Sequence, residues 1–328
     1  MNTTGYSTLN AGHWAVSPTA GNGLGNSTYI ESSSYYDLYI DWDKVHLVTV
    51  LICLLGLVGN GAVIWLLGFR LKRNPFSVYI LNLAVADFIF LLANSIWAIY
   101  YLLPYYVRRL SEVTFTVFLP SFLVGLSLLM AVSTERCVSV LCPLWYRCHR
   151  PAHLSSILCA LIWGMGSCFG IGAILCAFRS YIFCINVYPV MNVTSFLTFL
   201  VLCVSSLTLL IRVQCSSRRR QPSRLYLTIL LSVLAFLLLG LPYSVFLFVI
   251  WLSPGLPYYT DILSAITRPL LVLNSAVNPF IYFFVGRLRQ PGGRKSLREV
   301  LQRAVTDEEE EAEQDRGVPV PSQDSLCP

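Results

Sequence analysis

Seven long apolar runs constrain the fold of this 328-residue chain more than any other feature of its sequence. A spanning helix needs about 20 mostly apolar residues, because the hydrocarbon core of a bilayer is about 30 Å thick. The runs are continuous and lack the alternation of barrel strands, so they predict helices. We therefore predict an all-α membrane protein, a seven-transmembrane helix bundle. Its spans are 46–69, 76–102, 113–141, 154–177, 187–212, 225–252 and 260–285.

The charged residues agree with a membrane solvent and indicate an orientation. Only 12% of the residues are charged, against roughly 25% in a soluble domain, which is too few to cover a surface of this size. Most of the 23 Lys and Arg residues lie at 70–73, 136–150, 212–224 and 287–316. Basic loops stay in the cytoplasm, so we expect the N-terminus outside and the C-terminus inside. The excess of basic over acidic residues reflects this membrane topology, so we predict no nucleic-acid partner from it.

The segment before the first span, 1–45, is rich in Ser, Thr, Gly, Tyr and Asn. That composition predicts a disordered extracellular tail, glycosylated at the sequons of Asn2 and Asn26. Cys176 and Cys184 flank a short outer loop. They form a disulfide that clips the fourth and fifth helices together, or else serve as small apolar fillers like the other cysteines.

The segments after the seven-span domain, 46–285, have a different pattern. Residues 286–305 predict an amphipathic helix on the inner membrane surface. Its apolar face carries Leu297, Val300, Leu301 and Ala304. Residues 306–328 include an acidic run and predict a disordered cytoplasmic tail.

Asp87 is an ionisable residue in the middle of the second span. Such residues are expensive inside a membrane and have partners nearby, and the seventh span offers Asn274, Ser275 and Asn278. Two interpretations stay open. Asp87 is a neutral member of a hydrogen-bond network, or it binds a small cation such as sodium.

Glu135 and Arg136 end the third span. An adjacent acid and base form either a solvated surface feature or a switched contact, and the apolar run that follows favours a partly buried, switched arginine.

Pro242 and Pro279 interrupt the sixth and seventh spans, where proline removes a backbone hydrogen bond and favours a kink. Two kinked neighbours beside Arg136 predict inner ends that can swing.

The outer halves of the spans are aromatic. Such rings form either packing, an interfacial belt, or a ligand pocket. Arg268 lies deep in the seventh span, roughly 10 Å below its outer end at 1.5 Å per residue. It snorkels, pairs with Glu112 or Asp261, or offers a fork for a carboxylate or phosphate. The ligand-binding candidates are these three charged residues and the aromatic residues Trp97, Tyr101, Phe118, Phe122, Tyr243, Phe246 and Trp251.

Taken together, these residues resemble the rhodopsin-like G-protein-coupled receptors. The wording of four segments, 65–88, 133–151, 223–242 and 274–286, is similar to the Mas-related receptors, and the likeness covers residues 45–305. The landmark residues are Gly59-Asn60, Leu83 to Asp87, Glu135-Arg136-Cys137, Trp163, Phe236, Pro242 and Asn278 to Tyr282.

The resemblance implies a multi-pass plasma-membrane receptor of sensory neurons or mast cells, with a role in nociception or itch. It would bind an extracellular small molecule or peptide, contact membrane lipids, and activate a heterotrimeric Gq or Gi protein. Arg136 would contact the G protein's C-terminal helix, and Tyr282 would move inward to support it. Glu135, Phe236, Pro242, Asn278 and Pro279 would belong to the same switch.

Departures from the broader rhodopsin-like pattern refine these expectations, and the resemblance to Mas-related receptors implies them, because that family shares them. Position 240 is glycine where a tryptophan is usual, and no cysteine begins the third helix within 103–125. No acid near 222–224 can hold Arg136 from the sixth helix. Glu135 then remains as the only restraint, which predicts appreciable ligand-free signalling.

The ligand class follows from a second departure. Relatives that detect cationic ligands use an acidic pair, and the matching positions here are Ala173 and Tyr188. No acid occurs in 154–212, so we expect an anionic, zwitterionic or lipid-like ligand rather than a cationic one.

Other seven-helix and membrane classes fit less well. A transporter should show internal repeats, and none is found, although a transporter or a non-signalling decoy receptor remains the alternative. An enzyme is not expected, because catalytic groups are not paired within the spans. A retinal protein needs a lysine in its last span, but the lysines are Lys44, Lys72 and Lys295.

Overall fold

The seven-span prediction is confirmed by a computed structural model of the chain. In its described part, seven helices are long and apolar enough to cross a membrane. Asn2, Asn26 and the tail at 306–328 lie outside that part, as do the side chains of Glu112, Cys184 and Trp251. The structure describes residues 40–71, 74–103, 108–151, 153–178, 181–215, 224–252, 257–287 and 296–305.

The helices follow the predicted spans closely. Helices α1, α2, α3, α5, α6 and α9 each supply one span, and α7 with α8 supply the sixth. Helix α4 is a short helix after the third span, and α10 follows the seventh. The bounds are α1 Trp42–Trp65, α2 Pro75–Leu102, α3 Arg108–Leu141, α4 Pro143–His149, α5 Leu154–Phe178, α6 Tyr181–Cys215, α7 Arg224–Ala235, α8 Leu241–Leu252, α9 Pro257–Arg287 and α10 Leu297–Val305.

The start of α2 shows how local sequence sets a span boundary. Asn74 is the N-cap, and its side chain accepts a hydrogen bond from the backbone N–H of Ser77 at 2.7 Å. The Ser77 hydroxyl accepts in return from the Asn74 N–H at 2.8 Å. Pro75 occupies the first helical position, where its missing N–H costs nothing. This reciprocal cap satisfies two backbone N–H groups for which the helix itself offers no acceptor.

The exposed side chains of the bundle are strongly apolar. Leu55, Leu161 and Val204 on α1, α5 and α6 are 64–67% exposed. Contiguous apolar surface of this kind marks an interaction with membrane or protein, and the length of these helices matches a bilayer. Helix α3 is the most enclosed span, so the core of the molecule lies around it.

Two small residues let α1 approach α9. A Cβ atom added at Gly56 would lie 2.8 Å from the Cβ of Ala276, and one at Gly59 would lie 3.1 Å from the Cβ of Pro279. The amide of Asn60 then reaches the carbonyl oxygen of Ser275 at 3.1 Å. Close backbone approach through small residues is the usual way in which helices associate in membranes.

The sixth span contains a π-helical turn, Phe236–Gly240, which ends two residues before Pro242. A similar turn, Leu66–Arg70, ends the first span. Proline cannot donate a backbone hydrogen bond, and a local π turn is one of the adjustments that accommodate it in membrane helices. The predicted interruption of the sixth span is therefore a change in helical winding.

Helix α10 differs from the prediction in its length and in what covers it. It begins at Leu297, and the apolar face made by Val300, Leu301, Ala304 and Val305 is at most 5% exposed. Leu301, Ala304 and Val305 pack into one cluster with Leu67, Ile80, Tyr282 and Val285. Protein from the bundle, rather than lipid, covers the predicted membrane-facing side, whereas Leu297 is 63% exposed.

Candidate functional site

Glu135 is the centre of a polar network at the end of the bundle that the charge pattern assigns to the cytoplasm, called here the inner end. Its carboxylate accepts hydrogen bonds from the hydroxyls of Tyr79 at 2.6 Å and Tyr146 at 2.5 Å. It also forms an ion pair with Arg150 at 2.7 Å, and the two side chains are 4% and 9% exposed. Arg150 reaches on to the Ser155 hydroxyl at 2.6 Å. The network joins α2, α3, α4 and α5.

The protonation states in this network are fixed by burial and by the carboxylate. Burial, reinforced by the hydrogen bond and charge of Glu135, raises the pKa of Tyr146 to about 12. Burial alone would lower the pKa of Arg150, but the hydrogen bond and charge of Glu135 outweigh it, so that pKa lies above its usual value. At neutral pH the tyrosine is therefore a neutral donor and the arginine is charged.

Arg136 is not held by Glu135 as the sequence suggested. Its guanidinium carbon lies 3.3 Å from the ring centroid of Phe76 on α2, within the range of a cation–π contact. Neighbouring residues of a helix do not face each other, so Glu135 turns toward Arg150 instead. The prediction that Glu135 restrains Arg136 is therefore wrong.

Two other proposed switch residues lie in the core of the bundle. Tyr282 and Phe236 are each 1% exposed. A Cβ atom added at Gly240 would lie 2.6 Å from the Phe236 ring, so this ring fills the space beside the position where a tryptophan is usual. Phe236 is consequently the large side chain at this point of the sixth span.

Asp87 is brought together with two of its three predicted partners. Asn278 donates a hydrogen bond to its carboxylate at 2.7 Å, and the Ser275 side chain lies near enough to interact with the same group. Within the described residues no hydrogen bond joins Asn274 to Asp87. The buried side-chain oxygens of Asn274 and Asn278 accept no hydrogen bond from any described residue. Together with the carboxylate they are hard oxygen donors, the type that a sodium or other hard cation prefers.

A cavity of about 410 Å³ opens at the opposite, outer end, between α1, α2 and α9. Arg268 lines it, with its guanidinium carbon 4.5 Å from the ring centroid of Trp97. His46 stacks on Tyr101 at 5.1 Å and meets Trp97 edge-on at 5.0 Å. The lining consists of Trp42, Asp43, His46, Trp97, Tyr101, Ser264 and Arg268.

The aromatic ligand candidates divide into two groups. Trp97 and Tyr101 line the outer cavity, whereas Phe118, Phe122 and Phe246 pack around Tyr243. Its ring lies 5.8 Å from Phe118, 6.4 Å from Phe122 and 5.9 Å from Phe246. All four of these rings are at most 7% exposed. They form a packed floor in the core, and the charge of Arg268 reaches Tyr243 within it.

Of the two predicted ion-pair partners of Arg268, Asp261 alone has a described side chain. Asp261 is exposed and forms no salt bridge with Arg268 in the described structure. The side chain of Glu112 and that of Cys184 lie outside the described residues. Cys176 is buried in α5, and its pairing with Cys184 stays a prediction.

Sequence reasoning missed His46, Tyr79 and Tyr146 as members of these sites. His46 stands at the edge of a span, where an aromatic ring next to Trp42 is one available signal. Tyr79 and Tyr146 belong to segments already quoted for the resemblance. Their hydroxyls needed partners once buried, but no spacing rule links residue 79 or 146 to Glu135.

Comparisons with known proteins agree with these landmarks. Residues 59–282 match the family described as 7 transmembrane receptor (rhodopsin family). The Mas-related G-protein coupled receptor member A of Rattus norvegicus is 43% identical over 283 residues, which cover 82% of this chain and 91% of the relative. Member X1 of Homo sapiens is 43% identical over 278 residues, covering 80% of this chain and 83% of the relative.

Proposed function

The chain belongs to the rhodopsin family of seven-transmembrane receptors and, within it, to the Mas-related G-protein coupled receptors, and on that premise we propose its ligand and its switch. It is a multi-pass protein of the plasma membrane and a receptor rather than an enzyme. The proposed topology places the N-terminus outside, as the basic inner connections predict. The outer cavity then receives the ligand, and the end with Arg136 faces the G protein.

The proposed ligand carries a carboxylate or phosphate, with or without an amine. The observation that supports this ligand class is the position of Arg268. Its guanidinium lines the outer cavity, and its buried Nε atom makes no hydrogen bond with a described residue. Stacking on Trp97 fixes the guanidinium plane and leaves its edge for a bidentate partner. Asp43 lines the same cavity, and its negative charge supports a zwitterionic ligand over a purely anionic one.

The test is a screen of acidic and zwitterionic amino acids, anionic lipids and cationic peptides for calcium and cyclic AMP responses. For an active anionic or zwitterionic compound, Arg268→Gln should raise the half-maximal concentration about tenfold or more, because a hydrogen bond to a charged group contributes about 1.5–3 kcal/mol. Asp261→Asn, which changes an exposed charge on the same helix, is the matched control and should leave potency unchanged. Activity confined to cationic peptides and indifferent to Arg268→Gln would refute the proposed ligand class.

The proposed transducer is a heterotrimeric protein of the Gq or Gi class, in sensory neurons or immune cells. Its support is family membership together with Arg136, which lies at the inner end against Phe76 instead of in the Glu135 ion pair. Ligand-free signalling remains part of the proposal, because the Glu135 carboxylate is engaged by Arg150 and not by Arg136. Which of the two messengers changes, calcium or cyclic AMP, separates Gq from Gi.

Asp87 is proposed as a sodium site that modulates this receptor. Asp87 would hold the cation with the side-chain oxygens of Asn274 and Asn278, which accept no hydrogen bond from described residues. We expect replacement of sodium by choline to change agonist affinity about fivefold, at the low end of typical coupling between sites. In Asp87→Asn that sodium effect should vanish, measured by radioligand binding at constant ionic strength. An equal sodium effect in both proteins would exclude the site.

A further inference from the structure

The last turn of α10 is fixed to two different helices of the bundle. The hydroxyl of Thr228 on α7 donates to the carbonyl oxygen of Ala304 at 3.2 Å. The side-chain amide of Asn74, at the start of α2, donates to the carbonyl oxygen of Val305 at 2.9 Å. The final carbonyls of a helix have no donor within the helix. Here α2 and α7 supply those donors, so α10 bridges the inner ends of two spans.

The residues beneath α10 belong to the interior of the inner end. Leu301 and Ala304 are 0% exposed and pack with Ile80 and Tyr282. A residual cavity of only about 20 Å³ lies beneath, and Ile80, Thr228 and Tyr282 line it together with Phe76, the ring on which Arg136 stacks. Helix α10 therefore packs against residues of α2, α7 and α9 that share this small cavity with Phe76, the ring that Arg136 contacts.

The fit between α9 and α10 is close. A Cβ atom added at Gly286 would overlap the backbone carbonyl of Val300. Glycine at this position lets the last turn of α9 lie directly against α10. At the other end, Ser296 accepts from the Glu299 N–H at 3.4 Å, and Glu299 in the first turn with Arg303 in the last turn complements the helix dipole. The sequence thus specifies both the helix and the surface on which it packs. We call this surface the seat; it is formed by Asn74, Ile80, Thr228, Tyr282 and Gly286.

We propose that α10 is an autoinhibitory helix, and that its seat on α2, α7 and α9 is an interaction surface for the C-terminal turn of an amphipathic helix. The chain's own α10 occupies that surface in the resting receptor. A G protein that reaches Arg136 and Tyr282 must displace it or open α7 away from it. The proposal rests on the proposed coupling to a G protein and adds an intramolecular competitor to it.

The seat also ties α7 in place. The Thr228 bond links the inner end of the sixth span to α10, and the Asn74 bond links α10 to α2. Because α7 precedes the π turn and Pro242, it is the segment best placed to move. Release of α10 removes one tether on α7 and uncovers Tyr282, so both effects favour the active state.

Ligand-free nucleotide exchange by purified Gq and Gi tests the proposal in membranes that carry the full-length receptor at equal density. Leu301→Asp places a charge on the buried face and should raise exchange about fivefold or more, as expected for a coupling in the usual range. Leu297→Asp makes the same change at an exposed position of the same helix and should leave exchange unaltered. Gly286→Ala should act like Leu301→Asp, because the added methyl group pushes α10 from its seat. Adding Arg136→Ala should abolish each rise.

A cross-link gives the opposite perturbation and a readout independent of signalling. Thr228→Cys with Ala304→Cys should form a disulfide on mild oxidation, and exchange should fall below that of the same protein after reduction, whereas neither single variant should respond to oxidant. Failure of this pair to cross-link, or unchanged exchange in Leu301→Asp while other receptor variants still activate G protein, would overturn the autoinhibitory role. Absence of Arg136-dependent exchange in every variant would instead overturn G-protein coupling itself.

Discussion

Glu135→Ala is expected to lower the free energy of unfolding by about 3–5 kcal/mol, the cost of breaking a buried ion pair from one side. The substitution leaves Arg150 charged and buried without its carboxylate. It also removes the acceptor of the hydroxyls of Tyr79 and Tyr146. Thermal unfolding of the purified receptor in detergent measures the loss, and surface abundance should fall in parallel.

Two further variants separate the ion pair from general damage. Glu135→Leu combined with Arg150→Leu removes both charges and should recover part of the lost stability, because no unpaired buried charge remains. Recovery should be incomplete, since the hydroxyls of Tyr79 and Tyr146 still lack their acceptor. Asp261→Ala removes an exposed carboxylate and should unfold like the unmodified receptor. A Glu135→Ala protein that unfolds within about 1 kcal/mol of the unmodified protein would contradict the network's structural role, since exposed pairs contribute only that much.

Arg136→Ala is expected to abolish activation of the G protein at unchanged surface abundance. Arginines at the centre of an interface commonly contribute about 2 kcal/mol or more, equivalent to a loss of roughly 30-fold or greater in affinity. Ligand-free and ligand-driven signals should disappear together, while ligand binding at the outer cavity persists. Calcium, cyclic AMP and ligand-binding measurements on the same cells provide all three values.

Arg287→Ala is the matched control for this variant. Arg287 is an exposed arginine at the inner end of α9, so its removal subtracts the same charge from the same side of the membrane. It should reduce coupling only slightly, by weakening long-range attraction. Equal signalling by Arg136→Ala and the unmodified receptor would show that the G protein does not use this arginine.

The spans were predictable because their signal is physical and local. A run of apolar residues as long as a bilayer is thick has few alternatives, and the observed α2, Pro75–Leu102, begins one residue before the predicted span. The start of α2 is specified by Asn74, Pro75 and Ser77, because this cap depends only on neighbours in sequence. The sixth span, in contrast, contains a π turn that no composition rule indicates.

The sites were predictable only in part, because their partners come from distant segments. Asp87 and Asn278 were paired correctly, since two polar residues at mid-span must find each other in an apolar medium. Glu135 lies close to the short helix α4, which brings hydroxyl and basic groups to it. Proximity in sequence favoured Arg136 as its ion-pair partner, whereas the observed partner is Arg150. The apolar face of α10 was recognised, but amphipathicity does not distinguish a lipid cover from a protein cover.

The π turn at Phe236–Gly240 affects how positions in the sixth span correspond between receptors. Each such turn fits one more residue into the winding than an α-helix does, as shown by the backbone bond from Leu241 to Phe236. Residue correspondences counted back from Pro242 and those counted forward from α7 therefore disagree by one position. An ungapped alignment with a receptor that is α-helical here compares side chains on different faces. Equivalences inferred for Gly240 and Phe236 hold only when each is assigned from its own side of the turn.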